Sequence, residues 1–269
     1  MKFPCAPLLK IPLFLAVVLL GVAGAEAAEF DGVIEPHRVV KVGSGVTGII
    51  ESVDVDRGDF VKKGQVVATL QSGVEKATMA AAKARAEMEA TIKAKQARLD
   101  FSKRKKGREE ELFNKAVLPF SQMDETETAR ILAEMEHQEA LENKRLAELE
   151  YKRSLEVVNR MTIRSPINGV VEERLLSPGE YIESQAILKL AQIDPLNVEV
   201  ILPVAFIQSI QVGMRARVLP EAPVGGEYSA VIKIVDRVID AASGTFGVRL
   251  ELPNPDHRLP AGLKCKVIF

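Results

Sequence analysis

Few residues of this chain are spaced to do chemistry. His37, His137 and His257 could ligate a borderline metal ion only if the fold brought them together with further donors. They fall in unlike segments, and Met79, Met88, Met123, Met135, Met161 and Met214 do not cluster with them. They read as surface histidines and as core or helix-seam methionines, so neither a metal nor a cofactor is expected. Cys265 has no basic or helix N-terminal setting that would make its thiol reactive, and reads as a small buried residue of the last strand. No nucleophile–base pair, phosphate loop or dinucleotide fingerprint occurs, so the chain reads as no enzyme. One charged run remains: Lys103-Arg104-Lys105-Lys106, then Arg108, then Glu109-Glu110-Glu111. It is either a solvated helix face held by i,i+4 pairs or a contact with another subunit or partner.

Composition narrows the partners. Thirty-six basic against 37 acidic residues give a formal charge of −1, so no global field favours nucleic acid. Aromatics are 5% and Trp is absent, which removes the stacking platforms that single strands need. The N-terminus fixes the compartment. Lys2 and Lys10 precede an apolar run over residues 11–25 that ends in Ala23-Gly24-Ala25 and Ala25-Glu26-Ala27. A positive start, a short apolar stretch and small residues at its exit describe a signal peptide over residues 1–27, with an uncleaved inner-membrane anchor as the alternative. Cys5 lies before the apolar stretch, which argues against a lipoprotein anchor. Its removal would leave Cys265 alone and no intrachain disulfide.

An internal repeat organises the rest. Gly48-Ile49-Ile50-Glu51 matches Gly169-Val170-Val171-Glu172, and Gly58-Asp59-Phe60-Val61 matches Gly179-Glu180-Tyr181-Ile182, each 121 positions on. Val53 and Val55 alternate with Asp54 and Asp56 at the period of a half-buried strand. Arg57-Gly58-Asp59 and Ser177-Pro178-Gly179 are turn chemistry, so the first is a turn and not an adhesion tripeptide. Asn168-Gly169 reads as a two-residue hairpin turn; Gly48, Gly58, Gly169 and Gly179 are taken as structural turn positions. Halves this small cannot bury a core alone, so they should pair into one β sandwich.

What separates the halves is helical. Between residues 74 and 158 stand one proline, Pro119, and one glycine, Gly107, among Ala, Glu, Lys, Arg and Leu. Ala77, Ala81, Ala84, Met88, Thr91, Lys95 and Leu99 are spaced as a coiled-coil seam. Beyond Pro119, Ala133, Ala140 and Ala147 recur every seven residues, while Leu132/Leu146 and Met135/Leu149 recur every fourteen. Pro119, between Leu118 and Phe120, is the natural turn. The reading is an antiparallel hairpin with arms of about 40 residues, reaching roughly 60 Å at 1.5 Å per residue. Its turn carries Leu112, Phe113, Val117, Leu118 and Phe120. These either contact an outward partner or staple the two helices together. From residue 188 onward short strands return, and their spacing suggests a small antiparallel barrel.

At this level the chain resembles the periplasmic adaptor, or membrane fusion protein, family of HlyD/AcrA type. Residues 48–67 look like that family's first lipoyl half, and Ile163-Arg164-Ser165-Pro166-Ile167-Asn168-Gly169-Val170-Val171 like its second. Asp194-Pro195-Leu196 entering a barrel, and Leu259-Pro260-Ala261-Gly262-Leu263 near its end, fit as well. The resemblance implies an α+β chain: a split lipoyl-like β sandwich with a long antiparallel α-helical hairpin inserted, plus a small antiparallel β-barrel. The divisions expected are 42–72 and 160–187 for the two lipoyl-like halves, 73–159 for the hairpin and 188–269 for the barrel, with a strand from 28–41 beside it. It also implies an inner-membrane transporter of RND or ABC type as partner, a ring of copies, and an outer-membrane channel of TolC type at the hairpin tip. The family's tip resembles Arg, three residues, Leu, six residues, Ser. Arg108 and Leu112 match it, Pro119 stands where the serine should be, and the nearest serine is Ser121. An envelope scaffold without a transport role is the rival reading. A biotinyl or lipoyl carrier is remote, because some ninety residues of helix replace the carrier's tight lysine turn, and neither Met-Lys-Met nor Asp-Lys-Ala occurs.

Overall fold

A computed structural model describes residues 28–269; the expected leader over residues 1–27 lies outside the described residues. Strand β1 (Glu29–Gly43) is followed by β2 (Gly48–Val53), β3 (Phe60–Val61) and β4 (Val66–Leu70). Helices α1 (Gly73–Ala86), α2 (Ala90–Asn114) and α3 (Phe120–Arg160) come next. Then come β5 (Thr162–Arg164), β6 (Gly169–Arg174), β7 (Tyr181–Ile182), β8 (Ala186–Pro203), β9 (Arg215–Pro220), β10 (Tyr228–Val235), β11 (Thr245–Leu252) and β12 (Leu263–Ile268).

The repeat becomes a pseudo-two-fold. One sheet runs β5-β4-β2-β7 and the facing one includes β1-β8-β6-β3. Gly48 pairs with Ile182 and Ile49 with Tyr181; 121 residues on, Gly169 pairs with Val61 and Val170 with Phe60. Each half therefore lends its short strand to the other half's sheet. The turn hydrogen bonds obey the same operation: Gly58 N–H donates to the Val171 carbonyl and Gly179 N–H to that of Ile50, both at 2.9 Å. Gly58 and Gly179 sit at φ +91° and +89°, where a β-carbon is strained. The acid after each glycine closes its own turn: Asp59 accepts from the Asp56 N–H, and Glu180 from the Ser177 N–H. The repeated Gly-acid dipeptide is thus a turn device. Gly48 and Gly169 differ from the turn reading, since they open strands β2 and β6. Asn168-Gly169 makes no hairpin either, because β5 pairs with β4 while β6 pairs with β8 and β3. Residues 165–168 cross from one sheet to the other, and the Asn168 side chain accepts from the Lys63 N–H at 2.8 Å. Ile50, Val67, Leu70, Ile182 and Leu190 fill the space between the sheets.

The barrel closes in the order β1-β12-β9-β10-β11-β8 and back to β1. Its core includes Ile34, Val198, Leu202, Val218, Ile232 and Leu250, alternating along each strand as a closed sheet demands. Strands β1 and β8 run beyond the barrel. Their pairing continues from Gly32↔Val200 to Gly43↔Ala186, with an irregularity between Pro36 and Arg38. One ladder therefore serves both modules, where the sequence suggested a strand beside the barrel only.

The hairpin has one long helix, α3, against two shorter ones. Residues 87–89 interrupt the first arm, and this corrects the predicted seam. Ala77, Ala81, Ala84, Met88 and Thr91 are exposed, while Ala82, Ala86, Leu99 and Ser102 are buried. A heptad count assumes an unbroken helix; the interruption resets the phase, and only Lys95 and Leu99 keep their place. On α3 the seam holds as read, with Ala133 and Ala140 buried and Ala147 half-buried. Small side chains there let the backbones approach closely. No helix among the described residues is long and apolar enough to cross a membrane.

Candidate partner-docking site at the hairpin tip

The tip is the five-residue turn between Asn114 and Phe120. Helix α2 ends because Ala116 adopts φ +57°. Its N–H donates to the Phe113 carbonyl at 2.9 Å, and Val117 N–H to that of Leu112 at 3.0 Å. This is the Schellman arrangement, which normally recruits glycine at the left-handed position. Pro119 then holds extended dihedrals of −73° and 151°, and its carbonyl receives the N–H groups of Gln122 and Met123. Proline suits that place because it cannot continue the preceding helix and gives up no hydrogen bond.

The apolar residues of the turn do two things. The rings of Phe113 and Phe120 meet at 6.3 Å between centroids and Leu118 is half-buried, so the turn is stapled. Yet Phe120 stays 71% exposed and Val117 70%, more than stapling requires. Arg108, Leu112 and Ser121 are exposed as well. Arg108 and Leu112 lie one turn apart on α2, and Ser121 lies in the first turn of α3. Just below, one ion pair crosses between the arms and two more lie within α3. Lys106 Nζ lies 2.7 Å from Glu127, and Arg130 lies 3.0 Å from Glu127 and 2.7 Å from Glu134. Hydrogen bonds from Arg130 and Lys106 pull the Glu127 carboxyl down to about 2. Thr126 donates to Glu109 across the same interface. The tip is a partly apolar platform, stapled by the Phe113–Phe120 contact above the Lys106–Glu127 ion pair.

The other singled-out residues lie apart. His37 contacts the Asn197 side chain at 3.3 Å on the β1/β8 ladder, His257 stacks on Phe60 at 4.9 Å, and His137 lies in the α3 seam. Cys265 is buried on β12, and burial pushes its thiol up to about 11. The signal that sequence reasoning missed is the unpaired outer surface of the hairpin, which periodicity showed only as a second heptad stripe.

Comparisons with known proteins follow this architecture. A family model described as CzcB-like, barrel-sandwich hybrid domain matches residues 38–192, and one described as CusB-like, beta-barrel domain matches residues 196–269. The chain is 23% identical over 220 residues to the cobalt-zinc-cadmium resistance protein CzcB of Cupriavidus metallidurans, covering 81% of this chain and 40% of that one. It is 26% identical over 254 residues to the macrolide export protein MacA of Yersinia pestis, covering 88% and 66%. It therefore spans only part of the length of these curated relatives. Among solved structures, MacA of Actinobacillus actinomycetemcomitans superposes with a TM-score of 0.76 at 23% identity, over 90% of this chain and 77% of that one. The split sandwich, the inserted hairpin, the closed barrel and the two family matches place this chain in the CzcB-like group of the periplasmic adaptor, or membrane fusion protein, family of efflux systems.

Proposed function

We propose that this chain is the periplasmic adaptor subunit of an efflux or secretion system, bridging an inner-membrane transporter to an outer-membrane channel without catalysing a reaction. The observation that carries the reading is the hairpin. Its α3 is 41 residues long, about 60 Å at 1.5 Å per residue, and it ends in exposed apolar side chains. A solvated arm with no partner has no use for Val117 and Phe120 at its far end. On this reading the barrel and β base sit toward a transporter of RND or ABC type, which supplies the energy. The hairpin reaches outward to a TolC-type channel, and copies assemble into a ring. The chain is exported to the periplasm by residues 1–27. The relatives' printed cargoes, metal cations for CzcB and macrolides for MacA, differ from each other, so the adaptor role is what they share.

Replacing Leu118 and Phe120 by serine tests the reading. Capture of the channel from envelope extracts falls, while the thermal midpoint shifts by no more than a few degrees and transporter capture is kept. A fall in the midpoint with unchanged channel capture by the folded fraction would make the tip a staple and end the docking claim.

A further inference from the structure

The two ends of the barrel differ in chemistry. The end nearest the sandwich carries the β9–β10 and β11–β12 loops, with Glu221, Glu227, Asp256, His257 and Arg258 among their residues. The far end carries the β8–β9 loop, residues 204–214, and the β10–β11 loop, residues 236–244. Residues 204–214 hold no charged side chain, in a chain of which 27% is charged. Val204, Val212, Met214, Ile234, Val238 and Ile239 are exposed at this end, Val238 at 85% and Val212 at 64%.

Packing does not require that exposure. Phe30 meets Phe206 at 5.1 Å and Phe269 at 5.9 Å between ring centroids, which caps the barrel core here, and Ile210 already fills the β8–β9 loop's place in that core. The loops are also held in position. Gly213 N–H donates to the Ile232 carbonyl and Ile232 N–H to that of Met214, both at 2.9 Å. Val204 N–H donates to the Gly244 carbonyl at 2.9 Å, so the β8–β9 loop is tied to the β10–β11 finger at both of its ends. Within the finger the Asp240 carboxylate accepts from the Ala242 N–H at 2.9 Å. That charge is spent on the turn, while Val238 and Ile239 face solvent.

What lies upstream identifies the occupant. Strand β1 starts at this end, since Glu29 pairs with Ile268 and Gly32 with both Cys265 and Val200. The apolar run over residues 11–25 stops only three residues before it, a reach of about 10 Å. A signal peptide and an uncleaved anchor alike hold such a run in the inner membrane while the chain behind it crosses, so export delivers this rim to the bilayer surface. The charges that border it, Arg215 and Arg237 against Glu29 and Asp236, cancel, which leaves apolar burial as the attraction.

Taking export from the adaptor reading as its premise, we propose that the far rim of the barrel is a lipid-contact surface, with Val212, Val238 and Ile239 entering the headgroup region of the inner membrane. Binding of this kind scales with the apolar area buried, and with the bordering charges cancelled it does not depend on anionic lipid or on salt.

A fluorophore that brightens out of water tests this in the full chain recovered from the envelope, with Cys5→Ser and Val238→Cys; Cys265 is buried and stays unlabelled. On vesicles of phosphatidylcholine alone the label at position 238 shifts to the blue and is quenched by nitroxide on the lipid headgroups. A label introduced through Asp256→Cys, at the opposite end of the barrel, does neither. Adding phosphatidylglycerol or salt leaves both readings unchanged. Val212→Asp with Ile239→Asp lowers the fraction of the 238 label out of water roughly tenfold, because charges resist leaving water. The proposal is overturned if the chain does not float with the vesicles, if the 238 label stays in water on vesicles that carry the chain, if the two labels respond alike, or if the paired substitution changes nothing. A response seen only when the vesicles contain a transporter makes the rim a protein contact and overturns it as well. The premise fails separately: a chain recovered from the cytoplasm ends the export reading, whereas a periplasmic chain whose rim stays wet ends the lipid contact alone.

Discussion

Adding one methyl group at each of two repeat-equivalent positions should have opposite consequences. At Gly48 a β-carbon would meet nothing nearer than Leu70 Cδ1 at 3.4 Å, which is ordinary contact. At Gly169 it would lie 2.2 Å from the Ala191 carbonyl oxygen, 2.9 Å from its carbon and 3.2 Å from the Gln192 α-carbon. Those are backbone atoms of β8, so no rotamer change relieves them, and β6 must move away by roughly 1 Å to restore van der Waals distance. Overpacking of this kind costs about 1–3 kcal/mol. Loosening the Val170↔Ala191 register weakens ladder hydrogen bonds worth about 1 kcal/mol each. Gly169→Ala is therefore expected to lose about 3 kcal/mol, which lowers the thermal midpoint by roughly 6–12 °C for a chain of this size. Gly48→Ala should stay within about 0.5 kcal/mol of the parent. Calorimetry of residues 28–269 reads both. Equal midpoints for the two variants, or a larger loss at Gly48, would refute the reasoning that the β6/β8 approach makes Gly169 obligatory.

Four further outcomes are expected. The Glu127 carboxyl is held at about 2 by Arg130 and Lys106, below its ordinary 4.5, so its contribution is present above about pH 4.5 and is lost as pH falls toward 2. Glu127→Gln should make the helical circular dichroism less acid-sensitive in that window, and an unchanged pH profile would count against the bridge. Ala116→Gly relieves the φ of +57° and should stabilise the hairpin by about 0.5–1 kcal/mol, read as a rise in denaturant midpoint. Cys265, whose thiol burial pushes up to about 11, should resist alkylation at pH 8 in the native protein and react promptly in urea. Intact-mass measurement of the protein from its native host should show no lipoate or biotin on Lys62 or Lys63; an added cofactor would overturn the non-enzymatic reading.

How far the fold could be read from the residues depended on whether each signal was local and redundant. The repeat was legible because every member has a short-range cause. Gly58 and Gly179 must adopt positive φ, Asp59 and Glu180 must receive a turn N–H, and Val61 and Ile182 must face the core. Three constraints 121 residues apart rarely coincide by chance. The tip was legible in part: Pro119 announces a helix start, but Ala116 in the place of a glycine does not announce a helix end. Nor could the shared β1/β8 ladder be seen: Asp194-Pro195-Leu196 read as the entry to the barrel, while in the structure β8 runs through it from Ala186 to Pro203 and pairs with β1 on both sides, with register shifts only between Pro36 and Arg38 and between Val42 and Gly43.

The hairpin seam shows the deeper limit. On α3 the alanines recur every seven residues and the leucine–methionine pairs every fourteen, both whole heptads, and that spacing alone does not say which stripe faces inward. Size decides it: two backbones close enough for Ala133 and Ala140 to be buried leave no room for Leu132 or Met135 in the same seam, so the larger residues turn outward. On the first arm both stripes are alanine-rich, and size does not discriminate between them. There the interruption at residues 87–89 decides, by carrying Ala77, Ala81 and Ala84 to the surface while Leu99 is held inside. What periodicity offered as the inner seam is thus an outer face of the hairpin, and a second helix would find heptad spacing waiting there. A regular stripe of apolar residues on a helix suits a partner helix, but in the first arm the chain's own α3 is engaged on the other side, so the stripe that periodicity picks out is not the one the fold buries.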